Sequence, residues 1–453
     1  MAQVRMLANT VVGLGFSRRG FEAGLALEPD MIGCDAGSAD GGPAYLGMGT
    51  VSKSRQATMR DLEIMMRGAR DLSVPLVIGS CGGAGTDGQV DGYHEYVAEV
   101  AADLGWRPVV ARIYAEQDKD SLVAALRAGR TAPLGHDRDL TEADIESSGR
   151  VVAMMGAGPI KRALEAGADI VLAGRCADPA IFAATGLAAG VNPAPVWHAA
   201  KSIDKGYLAT ERPERGSPVL ATVTDDHFII EPAKPDERCT VLSVGGMTMY
   251  ENADPFEIIQ PSGVIAVEHA AYEQLDDRRV KVTGSAWIPA EVPSVKLEGA
   301  RQVGFRAVTI AGLRDDRLIN RFDEFLDRFR SLLTASCRSM GIEDGQWSAT
   351  FRAYGRNAVL GGLEPRINLP GHEIGLVIEV VADTQDLANA IAARSNPVGS
   401  RLNFTGETAG GGNFAFPFSP NVLRGGAAFD WSVWHTMTVA DEVAPFRQVI
   451  GGI

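Results

Sequence analysis

The chain has 453 residues, 45% of them hydrophobic and 22% charged, with a formal net charge of -14. That length suits two or three domains at ~100–200 residues each, and the negative balance argues against a nucleic-acid groove, which rests on Lys and Arg. No apolar run approaches the ~18 residues of a membrane span, and five scattered cysteines without a CxxC pair make no disulfide framework.

The opening MAQVRMLANT lacks a secretory pattern and reads as a first strand, Val4–Ala8. A helix follows at Ser17–Leu27, with Ser17 as its cap. Asp30–Cys34 is a second strand, and it runs into a glycine-rich loop, DAGSADGGPAYLG, at 35–47. Leu62, Met65, Met66 and Ala69 recur at helical spacing, which predicts a helix over Arg55–Arg70. Pro75–Ile78 is a strand ending in GSCGGAG at 79–85, followed by a helix at Val90–Leu104, a strand at Pro108–Ile113 and a helix at Asp120–Ala128. After a polar excursion at 129–149 come a strand at Val151–Met155, a helix through Ala166 with Gly167 ending it, and a strand at Asp169–Ala173 leading into GRCADP. Apolar strands alternating with helices mean βαβ units. The expected fold class is therefore α/β, an N-terminal parallel sheet over 1–190 with at least six such strands.

The stretch 191–220 is rich in proline and charge and reads as a connection. The remainder, 221–453, reads as an α+β domain. Its strands are expected at Thr240–Val244, Arg279–Thr283, Phe305–Ile310 and Ile374–Val381, with helices at Arg321–Met340 and Thr384–Arg394. Glycine-rich loops recur at 361–362 and 410–412, and Trp431, Trp434 and His435 make a late aromatic segment.

Open parallel sheets bind ligands beyond the carboxyl ends of their strands, so the loops there hold the site candidates. Asp35 and Asp40 could move a proton, orient a hydroxyl or bind a metal, or could each close an Asx-turn. Ser38 can donate to an anion, as can the backbone of Gly82 and Gly83. Arg175 can grip a carboxylate or phosphate with two parallel bonds, or pair with an acid such as Asp178. Asp178 could orient Arg175 or a water, and Cys81 could be a nucleophile if its pKa were lowered. Glu116 and Asp118 could take a divalent cation through oxygen, though carboxylates also suit a helix start. The glycine loops match neither GxxxxGK[ST] nor GxGxxG, so no NAD or flavin is expected.

The composite segments GCDAGSADGGP, GRVVAMMGAGPIKRALEAGADIVLAGRCADPA at 149–180, ADPFEIIQPSG at 253–263 and SPNVLRGG at 419–426 carry a resemblance across most of the chain. By them the chain resembles the acyclic terpene utilisation family, named after AtuA. That resemblance implies catabolism of acyclic isoprenoid acids through coenzyme A thioesters. It brings no residue assignments. The expectation is a cytoplasmic lyase or hydratase of small organic acid or acyl-CoA catabolism, working without nucleic acid or membrane and as a homo-oligomer. The alternatives are a divalent-metal-dependent hydrolase, and a non-catalytic subunit whose interface lies around Trp431 and Trp434.

Overall fold

Side-chain caps start several of the helices. The Ser17 side chain accepts the Gly20 N–H at the head of Arg18–Leu25, and Thr86 and Gln89 form a reciprocal capping box at the head of Asp87–Leu104. The computed structural model describes residues 2–135, 138–211, 216–369, 371–403 and 413–453. The glycine loop expected at 410–412 and part of the 191–220 connection lie outside them.

The strands of the first half are β1 (Gln3–Ala8), β2 (Met31–Asp35), β3 (Leu76–Gly79), β4 (Val109–Ile113), β5 (Thr131–Pro133), β6 (Arg150–Met154), β7 (Ile170–Ala173), β8 (Val219–Thr224) and β9 (His227–Pro232). Five of them pair in parallel in the order β1-β2-β3-β7-β4. Antiparallel strands extend this sheet on both sides. β8, β9, Val280–Thr283 and Ala271–Gln274 continue beyond β1, and Gln448–Gly452 flanks β4. The class is α/β.

Because strand side chains alternate between faces, the sheet feeds two cores. Leu7, Ile32, Leu76 and Ile78 pack with Leu62, Met65, Tyr93 and Val97 of two covering helices. Met6, Met31, Val77 and Val171 pack on the other face with Ile160, Phe182 and Trp197. Gly33 permits that close layer, since a Cβ there would stand 2.5 Å from the Phe182 ring.

Three expectations change. The segment 151–155 is a strand but not a member of the parallel series: β6 pairs antiparallel with residues 296–300. Thr240–Val244 is not a strand. Thr240 caps the helix Val241–Met249 through a reciprocal bond pair with Ser243, and a short apolar run alone does not separate strand from buried helix. The connection expected at 191–220 marks no division, because β8 hydrogen-bonds along the whole of β1. The chain instead divides into one unit of Met1–Arg301 with Trp431–Ile453, and a second of Gln302–Asp430.

Within the second unit, Ile374–Ala382 pairs antiparallel with Trp347–Tyr354 on one side and with residues 305–313 on the other. The helices Phe322–Ser339 and Gln385–Ser400 supply Phe325, Phe329, Leu333, Ile391 and Ala392 to its core. Among the described residues, no helix is long and apolar enough to cross a membrane.

Candidate functional site

The loops after β2 and β7 open onto one cavity of about 520 Å³ in the first unit. Ser38 and Asp40 come from the first loop, and Arg175, Cys176 and Asp178 from the second. The end of β7 is fixed there by backbone bonds. Met155 N–H donates to the Arg175 carbonyl at 3.0 Å, and Ala177 N–H to the Met155 carbonyl at 2.9 Å. Gly85 also holds this turn. Its φ is +69°, and a Cβ would stand 2.1 Å from the Arg175 nitrogen.

Arg175 does not pair with Asp178. Its Nε and Nη2 donate to the two Glu298 carboxylate oxygens at 2.9 and 3.1 Å, and both side chains are buried. The guanidinium fork is therefore filled by the protein's own carboxylate, and only Nη1, 3.4 Å from Ser80 Oγ, remains outside that pair. The expected two-bond grip on a substrate is corrected accordingly. Lys296 Nζ lies 2.8 Å from the same Glu298 and 3.5 Å from the Trp434 ring centre. Burial alone would raise the Glu298 pKa, but Arg175 and Lys296 outweigh it and hold the carboxyl at about 2. Two cations on one anion leave the triad with one net positive charge, and Lys296 and Arg175 both line the cavity.

Across the cavity stands a second charged group. The helix Pro193–Ile203 ends at Lys201 and Asp204, and Lys205 follows. Residues three and four apart share a helix face, so the spacing of Lys201, Asp204 and Lys205 brings them together. Lys205 pairs with Asp178, and Lys201 Nζ donates to Asp204 Oδ2 at 3.1 Å. Burial opposes the Lys205 charge, but Asp178, Asp204 and Asp35 outweigh it and raise its pKa. Asp204 lines the cavity while buried, and its Oδ1 has no hydrogen-bond partner. Burial pushes its carboxyl up, Lys201 offsets part of that, and Asp178 adds to it, for a pKa of about 6. Gln260 Oε1, also at the cavity, is likewise unpartnered.

The other candidates fall elsewhere. Asp40 accepts the Ser38 hydroxyl at 2.8 Å, closing a short turn at the cavity rim. Asp35 is buried outside the lining. Burial, then Asp178, raises its pKa, which favours a neutral acid over a carboxylate base. Gly82 and Gly83 do not line the cavity either. Gly83 N–H is spent on the Ser80 carbonyl at 2.9 Å, and the Gly82 carbonyl accepts from Ser52 N–H at 3.0 Å, so this loop packs against its own neighbours. Cys81 is fully buried, and burial with the nearby Cys176 and Cys34 raises its thiol pKa, the reverse of what a nucleophile needs. Cys81→Ala is expected to leave ligand-induced stabilisation unchanged in a thermal-shift assay; loss of the shift would return Cys81 to the site.

Glu116 accepts the Asp87 N–H at 3.0 Å and lies 3.6 Å from Arg150, while Asp118 caps Lys119–Arg127 by accepting from Ser121. Among the described residues, no group of three or more His, Cys, Asp or Glu could hold a metal ion. Trp431 and Trp434 are half-buried, 4.9 Å apart, and Trp434 packs on Lys296. His435 is buried, with its Nε2 2.7 Å from the Arg138 carbonyl.

Sequence reasoning passed over Lys201, Asp204, Lys205, Lys296 and Glu298. The signal for the first three was their i, i+3, i+4 spacing, hidden in a stretch taken as a connection. For the last two it was strand alternation, since Lys296 and Glu298 lie on one face while Val295 and Leu297 point away from it.

A model of the family described as acyclic terpene utilisation family protein AtuA matches residues 54–189 and 206–412. No curated protein and no solved structure matches the chain.

Proposed function

The chain belongs to the acyclic terpene utilisation family, and from that premise we propose that it is a lyase- or hydratase-type enzyme acting on a small organic acid or its acyl-CoA thioester. An isoprenoid acid is one member of that class. The observation that carries the reading is Asp204, a cavity-lining carboxyl with a free oxygen and a pKa of about 6. A general acid–base works best when its pKa lies near the operating pH.

The net positive triad supports the same reading from the other side. Lys296, backed by Arg175, would meet a substrate carboxylate or the oxygen of a thioester. In the reaction, the Asp204 carboxylate removes a proton next to the carbonyl. The negative charge then gathers on the carbonyl oxygen, where a fixed cation is worth more than in water. Met154, Ile259 and Pro261 give the cavity an apolar wall for a hydrocarbon chain. Its volume falls in the ~300–1,000 Å³ range of ligand pockets.

The test is a thermal-shift panel pairing hydroxy and unsaturated acids with their coenzyme A thioesters. A ligand selective for the folded state raises its melting temperature. One chemical family is expected to do so with the unaltered protein and to lose the effect with Lys296→Ala. A panel without any shift, or shifts equal in both proteins, would remove the small-acid reading.

A further inference from the structure

The second unit holds a cavity of its own, lined by three arginines. Arg328, Leu332, Ser336 and Ser339 follow helical spacing along Phe322–Ser339, and Arg394, Val398 and Arg401 do so along and just past Gln385–Ser400. These residues line one groove of about 500 Å³, and among the described residues no Asp or Glu lines it with them.

Arginines elsewhere on the same helix are neutralised. Arg330 lies 3.6 Å from Asp327, and Arg338 binds Asp344. Arg328, Arg394 and Arg401 have no carboxylate partner among the described residues. Arg394 Nε is steadied by Ser336 Oγ at 2.5 Å, which leaves its two Nη groups unbonded among the described residues. Three unpaired guanidinium groups in one groove repel one another, on a chain whose net charge is -14. An anion in the groove removes that repulsion.

We propose that this groove binds a phosphate-bearing small molecule through Arg328, Arg394 and Arg401. Guanidinium groups match phosphate oxygens with paired hydrogen bonds, and the Ser336 hydroxyl, which accepts from Arg394, can donate beside them. Three positive charges suit a diphosphate better than a lone carboxylate. Leu332, Val398 and Leu402 supply apolar surface for an organic portion. A nucleic-acid polymer is disfavoured, because the chain carries a net charge of -14. This inference is independent of the proposed reaction, since none of its residues belongs to the Asp204 cavity.

The experiment titrates the full chain with inorganic pyrophosphate and, separately, with ADP, at low ionic strength by calorimetry. Saturable binding is expected, weakened at least ~10-fold by Arg394→Ala and by the double change Arg328→Ala with Arg401→Ala, a loss of about 1.4 kcal/mol or more. Arg394→Lys keeps the charge but not the fork, so intermediate binding is expected. It also keeps the test open should an alanine variant fail to fold. All three arginines are exposed, so the ligand-free variants should melt no lower than the unaltered protein. Lys296→Ala, in the other cavity, should bind pyrophosphate normally. Tighter binding of ADP than of pyrophosphate would show that the nucleoside is contacted; equal or weaker binding would assign the site to the phosphates alone. No saturable binding of either probe, equal binding by all variants, or loss in Lys296→Ala in place of the arginine variants would overturn the proposal.

Discussion

Glu298→Ala is expected to cost the folded protein roughly 3–5 kcal/mol, because it leaves the buried Arg175 charge without its partner. Glu298 has no solvent exposure and accepts both Arg175 bonds, as well as lying 2.8 Å from Lys296. The acid limb of stability gives the sign independently. The Glu298 pKa is lowered from 4.5 to about 2 in the fold. Its contribution is therefore fully present above the unfolded value and is lost as pH falls through the folded one. Urea unfolding at neutral pH measures the first effect. The gap between the two proteins should then narrow as pH drops from about 4.5 toward 2, the window set by that pKa shift. A double variant, Arg175→Met with Glu298→Leu, should recover most of the loss, since an apolar pair of similar size can replace a buried ion pair. A single-variant cost below ~1 kcal/mol would mean that water reaches this pair.

The parallel core was legible because its signals are local. Ile170–Ala173 is apolar throughout and Met31–Asp35 is apolar up to its last residue, and the helices between them repeat apolar residues at helical spacing. What was not legible depends on partners distant in sequence. The apolar run of β6 reads like any other buried strand, yet its antiparallel partner lies at 296–300, a pairing no local pattern announces. The apolar run at 241–244 does not separate strand from helix, and the Thr240–Ser243 capping pair marks the start of a helix there. The two candidate loops at the cavity were found through the ligand-location rule for parallel sheets. The charges that give the cavity its chemistry were not, because Asp204 and Glu298 look like ordinary surface acids until burial is known. Arg175 shows the converse. Its type suggested a substrate clamp, but its partner was a glutamate 123 residues away.

Asp204→Asn is expected to lower kcat by ~10²–10⁴-fold once a substrate is in hand, the range ascribed to one positioned proton-transfer group. The substitution keeps size and shape. It also keeps an oxygen that can accept from Lys201 Nζ, now 3.1 Å from Oδ2. What it removes is the capacity to take a proton. Ligand-induced stabilisation should therefore persist while turnover falls, a split that a merely structural role would not produce. In the unaltered enzyme, kcat should rise with pH through an apparent pKa near the value of about 6 set by burial, Lys201 and Asp178, because the carboxylate is the reactive form. That limb should vanish from whatever activity Asp204→Asn retains. The neighbouring pair refines the expectation. Asp178 helps raise the Asp204 pKa while being held by Lys205, so Asp178→Asn should shift the limb toward lower pH without abolishing turnover. If Asp204→Asn kept more than ~10% of kcat, or kept the acid limb in place, the proton would have to pass through another group, and Asp204 would lose its assigned role.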